Sequence, residues 1–504
     1  MTLPRGFVVR LNRHARVHDD GRSILGGAPT RMIYLTEAAA GMLVDRTVRV
    51  TSAGTAALAD RLLELGMADP LVEELPPFAG AGEMRGEGAG GGAGQEALLS
   101  YVIPVRDRPL ALDRLLASIR AAQPWSGGDI GTAGEDAHSA GAGHAEIIVV
   151  DDCSDDPQAI ADVAWEHDAR LVRLPANLGP GGARNAGLAV VATPFVAFAD
   201  SDVVVDAQTV PILLKHFADP KVAMAAPRIV GLADVRQTNW IGRYEDARSS
   251  LDLGSDPATV RPRSPVSWAS TAFAVARVDA LREGEGFDAG MRVGEDVDLV
   301  WRLVDRGWRV RYEPAARAGH EHRVSFGDWI SRKAIYGTAA QPLAERHPHD
   351  IAPAVLAPWS VGVVAALLAQ RRWSVPVALA ISLVTAGRIA WKLRRNRHPL
   401  RLGVWLTANG VGGALGQAMS LMLRHWWPIA AIAAVFSRRA RRAVAVAAVA
   451  DVALRYRQNE AKLDPVRFGV ARRLDDLAYG AGVWFSAIRG RSIAALKPDL
   501  RRHR

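Results

Sequence analysis

Two carboxylates one residue apart, Asp200 and Asp202, interrupt the apolar run FVAFADSDVVV (Phe195–Val205). Like charges that close repel each other, so a buried strand ending on them asks for a counter-charge. In a strand-exit loop the pair can converge on one hard cation. Mg²⁺ and Mn²⁺ take oxygen ligands and commonly keep phosphate oxygens in their shell. A solvated turn is the alternative, because Asp and Ser are ordinary turn residues. EIIVVDDCSDDP ends a second apolar strand on Asp151 and Asp152. A carboxylate there can accept a hydrogen bond from a nucleobase N–H, while Ser154 and Asp155 suit the N-cap of a following helix.

NLGPGGARNAGL joins glycines, which let backbone approach a ligand, to a helix start that favours anions. No Lys completes G-x-x-x-x-G-K-[ST], and Arg184 occupies the third glycine place of G-x-G-x-x-G, which argues against an NTPase and a dinucleotide oxidoreductase. GEDVDLVWRLVDRGWRVRYEP reads as a helix with an apolar stripe (Val297, Val300, Trp301, Val304), stopped by Gly307 and followed by a strand in which Trp308, Val310 and Tyr312 alternate. Glu295 and Asp296 fall in the first turn, where the helix dipole favours carboxylates. Held there, a carboxylate can also serve as general base to a hydroxyl. Asp298 and Arg302, four apart, read as a structural pair. His320 and His322 follow the strand; each reads either as a surface histidine or as an imidazole completing a metal shell, which would point towards Mn²⁺.

These residues need a scaffold. From Leu98 to about His347 strands (LLSYVIPV, EIIVVDD, RLVRLP, PFVAFADSD) alternate with helices, the first opened by Pro109 with Leu112, Leu115, Leu116 and Ile119 on one face. Strands without polar alternation imply a parallel sheet covered on both faces, with ligands beyond its carboxyl edge, where Asp151, Asp152, Asp200 and Asp202 fall. Residues 1–78 read as a small α/β unit: a strand at Phe7–Leu11, a turn at HDDGRS, and helices in LTEAAAGML and TAALADRLLELG, the latter with Leu58, Leu62 and Leu65 in register and Gly66 as C-cap. Residues 79–97 read as a Gly-rich linker, 98–350 as the α/β domain with a Gly-rich surface insertion at Ser126–Ala145, and 351–504 as a helical apolar region.

That last region holds uncharged stretches at Ala354–Gln370 and Trp373–Gly387 and further apolar ones at Leu402–Leu423 and Trp426–Phe436. A spanning helix needs about 20 apolar residues, so spanning and a buried helical bundle both remain open, and Arg371-Arg372 makes a tight hairpin awkward. The 504 residues carry a net charge of +9, with Arg395, Arg397, Arg438, Arg439, Arg441 and Arg442 beside the apolar stretches. This distribution suits an anionic membrane surface, and no nucleic-acid motif accompanies it. Cys153 is the sole cysteine, which excludes an intrachain disulfide and fits a reducing, cytosolic setting. MTLPRGFVVRLNRH is no secretory signal peptide.

SYVIPVRDRPLALDRLL, EIIVVDDCSDDP, NLGPGGARNAGL, FADSDVVV and GEDVDLVWRL…GWRVRYEPAARAGHEH occur in the order seen in family-2 glycosyltransferases, which the chain resembles over roughly residues 98–330. The resemblance implies a GT-A fold (Rossmann-like, mostly parallel sheet) and inverting transfer from a nucleoside-diphosphate sugar with Mg²⁺ or Mn²⁺. By position it implies Pro104, Asp107, Asp152, Arg184 and Asp200 at the donor, and Asp202 as the direct metal ligand with Asp200 and His320. It implies Asp296 as general base, Glu295 orienting the acceptor, and Trp268 in the acceptor region. Cys153 stands where the family usually has Gly, and Arg108 where many members have Glu. The absence of Q-x-x-R-W argues against a processive synthase of the cellulose or hyaluronan type. DDGRSILGGAPTRMIYLTEAAAGML…LADRLLELGMADP resembles the small PqqD-like, winged-helix-type peptide-binding domain of pathways for peptide-derived cofactors. Together these imply β-linked transfer of glucose from UDP-glucose, a UDP-sugar donor, onto a peptide-derived redox cofactor at the cytoplasmic face of the cell membrane. The rival expectations are glycolipid or cell-wall polysaccharide synthesis, and a peptide-docking protein with an inactive transferase domain.

Overall fold

The computed structural model describes residues 2–75, 98–123, 145–232, 239–458 and 463–500. The Gly-rich linker 79–97 lies wholly outside the described residues, as does the insertion Ser126–Ala145 apart from Ala145. The chain divides into two units, Met1–Asp234 with Ser249–His322, and Val235–Arg248 with Arg323–Arg504. The expected boundary at 350/351 therefore falls inside the second unit, which also takes the helices Phe326–Thr338 and Ala340–Arg346.

The first unit opens with strands β1 (Val8–Leu11), β2 (Arg16–His18), β3 (Ser23–Gly26), β4 (Arg31–Tyr34), β5 (Thr47–Arg49) and β6 (Ala68–Pro70). β1 lies between β5 and β6, and β3 between β2 and β4, all antiparallel. The helix Ala53–Glu64 starts on a reciprocal cap between Ser52 and Thr55 and packs Leu62 and Leu63 into a core with Phe7, Val9 and Val48. Gly66, just past its end, adopts the left-handed φ of +63° that stops the helix. The helix in LTEAAAGML is shorter than that segment, Glu37–Gly41, capped by Thr36.

The large sheet comprises β7 (Leu99–Val105), β8 (Glu146–Asp151), β9 (Arg170–Arg173), β10 (Phe195–Ala199), β11 (Val203–Val205), β12 (Val222–Gly231), β13 (Ala258–Val260), β14 (Phe273–Arg277) and β15 (Arg309–His320). Its order is β11-β15-β12-β14-β10-β7-β8-β9, with β13 also on β15. The four strands read from the sequence, β7 to β10, form a continuous parallel half. The other half is mixed: β14 runs antiparallel to both β10 and β12, β12 and β15 are parallel, and β11 and β13 run antiparallel to β15. A strand buried on both faces reads the same in either direction, so apolar pattern alone does not reveal the reversal at β14.

The helix Pro109–Ala122 buries Leu112, Leu115, Leu116 and Ile119, as its spacing predicts. The next helix, Pro157–Glu166, is capped by Asp156 and not by Ser154 or Asp155, because Pro157 takes the first helical position. The helix Gly179–Val190 lies so close to the sheet that a Cβ on Gly187 would sit 2.3 Å from Val102 Cγ1 and 3.1 Å from Val150 Cγ2. The N-terminal strands and helices join this domain through Asp60, whose carboxylate accepts from Lys221 Nζ at 2.9 Å and from Arg309 Nη2 at 2.5 Å, while Arg309 Nη1 donates to Asp219 at 2.7 Å.

In the second unit the helices Pro358–Leu368 and Ser374–Lys392 pack together across a short turn. Arg371 and Arg372 are exposed at that turn, where Arg371 N donates to Ser374 Oγ at 2.9 Å, so the arginines do not prevent the hairpin. Ser374–Lys392 is long and apolar enough to cross a membrane by length and composition; Pro399–His425 and Trp427–Phe436 pass together but are bent by 90°. The interior is not uniformly apolar. Lys333, Arg424, Arg472 and Arg473 neutralise Glu245, Asp451, Asp475 and Asp476 in one network with Tyr244.

The close approach at Gly187 generates a prediction. Gly187→Ala is expected to destabilise the first unit by about 1–3 kcal/mol through overpacking, measured as a lower denaturant midpoint; an unchanged midpoint would show that the helix can move off β7.

Candidate active site

The carboxyl edge of the parallel half gathers three loops. β7 and β8 are in register with Val105 opposite Asp151, so the loops leaving them emerge side by side. Asp107, at φ +55°, accepts Asp155 N at 2.7 Å, and Ser154 Oγ accepts Asp107 N at 3.0 Å. Asp151 accepts Ser154 N at 3.0 Å. Asp152 accepts Leu178 N at 2.6 Å and Gly179 N at 2.9 Å, holding the start of the helix Gly179–Val190. Asp107 and Asp152 thus tie backbone together, using some of the lone pairs a carboxylate offers. Pro104 is half-buried one residue before the end of β7. Cys153 sits at φ +62°, in the region that favours glycine, which gives a backbone reason for the glycine the family usually has there.

β10 ends at Ala199, and Asp200 N donates to Ala272 O at 2.8 Å, anchoring the loop to the neck of β14. After the acidic turn, β11 pairs with the end of β15 with Val203 opposite His320. Glu321 N also donates to Asp202 O at 3.1 Å. This pairing places His320 Nε2 3.6 Å from Asp202 Oδ1, beyond hydrogen-bond length. His320 Nδ1 is buried and has no hydrogen-bond partner among the described residues. His320 is the last residue of β15, so that strand runs eight residues past the alternation that announced it. On the other side of the carboxylate, Arg108 Nη1 lies 2.5 Å from Asp202 Oδ2.

Asp200 faces a different partner. Arg184, buried in the helix Gly179–Val190, donates through Nη2 to Asp200 Oδ1 at 2.6 Å and through Nη1 to Glu295 Oε1 at 2.9 Å. Its guanidinium lies over the Phe287 ring at 5.3 Å, and Phe287 in turn meets Phe198 edge-on. Burial works against the Arg184 charge, but Asp200 and Glu295 more than offset it and raise its pKa above the usual guanidinium value. With a side chain 3% exposed and two carboxylates bound, Arg184 organises the site and is not placed as an open phosphate contact.

Glu295 and Asp296 open the helix Glu295–Asp305 behind Gly294, whose φ of +84° makes the sharp entry. Asp296 is half-buried and accepts Val297 N at 2.8 Å. Desolvation, then the neighbouring Glu295, push its carboxyl up to about 7, against a smaller lowering by Arg184; Asp200 adds to the rise. Asp298 and Arg302 form the expected pair at 2.7 Å. The buried face centres on Asp298, Leu299, Val300, Trp301 and Leu303, wider than the stripe of Val297, Val300, Trp301 and Val304. Trp301 Nε1 donates to Ser267 O at 2.7 Å, fixing the loop that carries the half-buried Trp268.

Sequence reasoning did not single out Phe287 or Trp301's hydrogen bond; the aromatic in GFD carries no spacing signal of its own. Arg184 joins Asp200 to Glu295 and Arg108 holds Asp202, while Asp296 sits beside Glu295; the carboxylates outnumber these two guanidinium groups, and His320 presents Nε2 to Asp202. That donor set fits a divalent cation held by Asp202 and His320, with Asp200 turned towards Arg184.

A half-parallel α/β sheet with an acidic pair at its carboxyl edge, joined through Arg184 to the acids that open the helix Glu295–Asp305, agrees with the GT-A glycosyltransferase fold that the sequence resembles. Residues 100–283 match Glycosyl transferase family 2 and residues 195–436 match Glycosyl transferase family group 2. The pre-mycofactocin glycosyltransferase of Mycobacterium tuberculosis (strain ATCC 25618 / H37Rv) is 40% identical over 515 residues, covering 99% of both chains. The poly-beta-1,6-N-acetyl-D-glucosamine synthase of Staphylococcus aureus (strain COL) is 27% identical over 34% of this chain and 41% of its own. A solved mannosyltransferase from Pyrobaculum calidifontis, in complex with GDP-Man and Mn²⁺, aligns at a TM-score of 0.36 and 17% identity over 64% of this chain and 87% of that one. The chain belongs to the family-2 glycosyltransferases and, among them, to those of the mycofactocin system.

The raised pKa of Asp296 sets a pH dependence. If Asp296 is the general base that the sequence resemblance implies, it must be deprotonated to act, so kcat/KM is expected to fall as pH drops through about 7 and to level off above it. Glu295→Gln removes the nearest repelling charge and is expected to move that limb to lower pH; a pH–rate profile that stays in place would detach the limb from Asp296.

Proposed function

We propose that the chain transfers glucose from UDP-glucose onto a hydroxyl of the mycofactocin precursor, with inversion to a β linkage, and that Asp296 is the base. The observation that carries this reading is geometric: Asp296 opens the helix Glu295–Asp305 beside Glu295, which Arg184 ties to Asp200 of the acidic pair, and its carboxyl is raised to about 7 by burial and by Glu295. A carboxylate with that pKa balances readiness to accept a proton against being ionised near neutrality. Asp202 and His320 would hold Mg²⁺ or Mn²⁺. A divalent cation, when bound, supplies charge compensation to a departing diphosphate.

In the transfer, the acceptor oxygen bonds to the anomeric carbon from the face opposite the diphosphate. The bond from that carbon to the diphosphate oxygen breaks, and UDP leaves with the electron pair. The acceptor proton passes to Asp296. Glu295, held by Arg184, orients the acceptor and keeps the carboxyl of Asp296 basic, and Trp268 on its tethered loop offers an apolar wall to the acceptor. Asp107 and Asp152, through their remaining lone pairs, and Pro104 line the nucleoside side. The N-terminal α/β module recognises the peptide part of the acceptor, a reading supported by its sequence resemblance; photo-crosslinking of the precursor to residues outside 1–75 alone would count against it. The apolar helix Ser374–Lys392 and the exposed arginines at 438–442 support attachment to the cytoplasmic face of a membrane.

Transfer is tested with radiolabelled UDP-glucose and the precursor peptide, following glycosylated product by mass spectrometry. Asp296→Asn is expected to lower the rate by about 10²-fold or more while UDP binding stays within about twofold. Equal loss of both would make Asp296 structural. For the membrane, cell fractionation is expected to place the chain with membranes and to release it only with detergent; recovery in the soluble fraction would refute attachment.

A further inference from the structure

Arg108 is a half-exposed cation at the acidic edge of the site. It ends the loop leaving β7 and immediately precedes Pro109, the first residue of the helix Pro109–Ala122, where it makes no capping hydrogen bond. Its Nη1 engages Asp202 Oδ2 at 2.5 Å, while the other carboxylate oxygen, Oδ1, faces His320 Nε2 at 3.6 Å. The two partners are unequally buried: the Asp202 side chain is 14% exposed and that of Arg108 is 38% exposed. Arg184, by contrast, is 3% exposed and fastened by two carboxylates. One guanidinium is thus fixed, and the other sits at the solvent edge on a long stem, in an ion pair of the kind that solvent weakens.

A carboxylate cannot serve a divalent cation fully while a guanidinium holds its second oxygen, because the two positive centres repel across a few ångströms. A diphosphate changes the balance. It brings its own negative oxygens, and a guanidinium matches phosphate in a two-pronged geometry that an ammonium cannot reproduce. We propose that Arg108 is a displaceable counter-ion on Asp202, drawn away by the diphosphate of a nucleotide, so that divalent cation and nucleotide diphosphate enter the site together and neither binds well alone. This rests on the reading of Asp202 and His320 as the cation's ligands. Arg108 is then a positioning residue that acts through Asp202. The free protein keeps its acidic edge partly neutralised and does not sequester stray metal.

The test follows free Mn²⁺ by electron paramagnetic resonance while the full-length protein is titrated, with and without saturating UDP. Arg108→Gln is expected to tighten Mn²⁺ binding without nucleotide by about tenfold and to shrink the further gain that UDP brings. Arg108→Lys, which keeps the charge, is expected to leave nucleotide-free Mn²⁺ binding as weak as in the unaltered chain. Unchanged or weaker Mn²⁺ binding in Arg108→Gln, with normal thermal unfolding, overturns the proposal. In the unaltered protein, equal Mn²⁺ affinity with and without UDP overturns it too, without recourse to any variant. Asp202→Asn separates the two levels. If it binds Mn²⁺ as the unaltered chain does, the ligand assignment fails; if it loses Mn²⁺ while Arg108→Gln gains nothing, only the counter-ion role fails.

Discussion

The site hangs on one buried guanidinium. Arg184 joins Asp200, at the end of β10, to Glu295, at the start of the helix Glu295–Asp305, through hydrogen bonds of 2.6 and 2.9 Å. The two acids are 95 positions apart in the chain, and no backbone pairing unites them. Without a shared cation their charges would push the strand end and the helix start apart. Removing one partner from a buried pair of this kind typically costs about 3–5 kcal/mol, because the remaining charge stays desolvated. The Phe287 ring beneath the guanidinium and the Phe198 ring beside it keep water away and make that dependence stronger. Arg184 also serves Asp296 indirectly. By neutralising Glu295 and Asp200 in part, it keeps the carboxyl of Asp296 from rising further.

How far the sequence foretold this differs from element to element. The parallel half of the sheet was legible because β7, β8 and β10 are unbroken apolar runs with helices between them. The other half was legible only in part: the alternation of Trp308, Val310 and Tyr312 announced the start of β15, but direction leaves no mark on a strand buried on both faces, and β11 and β13 are only three residues long. Among the site residues, Glu295 and Asp296 stood out by their place at a helix start, and Asp200 and Asp202 by interrupting an apolar run. Their partners did not. The spacing of NLGPGGARNAGL marks Arg184 as part of a ligand-approaching loop, yet its guanidinium turns inward to two distant acids. Asp107 and Asp152 look like free acceptors in one dimension; in three they hold loop backbone. Long-range pairing decides such assignments, and local pattern does not carry it.

The N-terminal module illustrates the same limit. Its helix Ala53–Glu64 was readable from leucine spacing and the glycine that follows. That Asp60 on the exposed side of this helix reaches Lys221 and Arg309 was not, since a single acid on a helix surface is commonplace. Burial lifts Asp60 less than the two cations lower it, so it stays ionised well into acid. The module is thereby fastened to the sheet's far portion by charge as well as by shape.

The pairing of Val203 with His320 has a further bearing on how this family could diversify. Side chains alternate along a strand with a period of two, so sliding β11 or the end of β15 by one residue would turn the imidazole to the opposite surface. The distance between carboxylate and imidazole is therefore written in backbone hydrogen bonds, not in side-chain packing. Length changes between Asp202 and Val205 are barred by geometry, whereas replacement of the valines by other β-formers is not. With Asp202 and His320 as the proposed ligands, this edge behaves as a ratchet with one permitted tooth, and metal preference would be tuned by side-chain types at fixed positions.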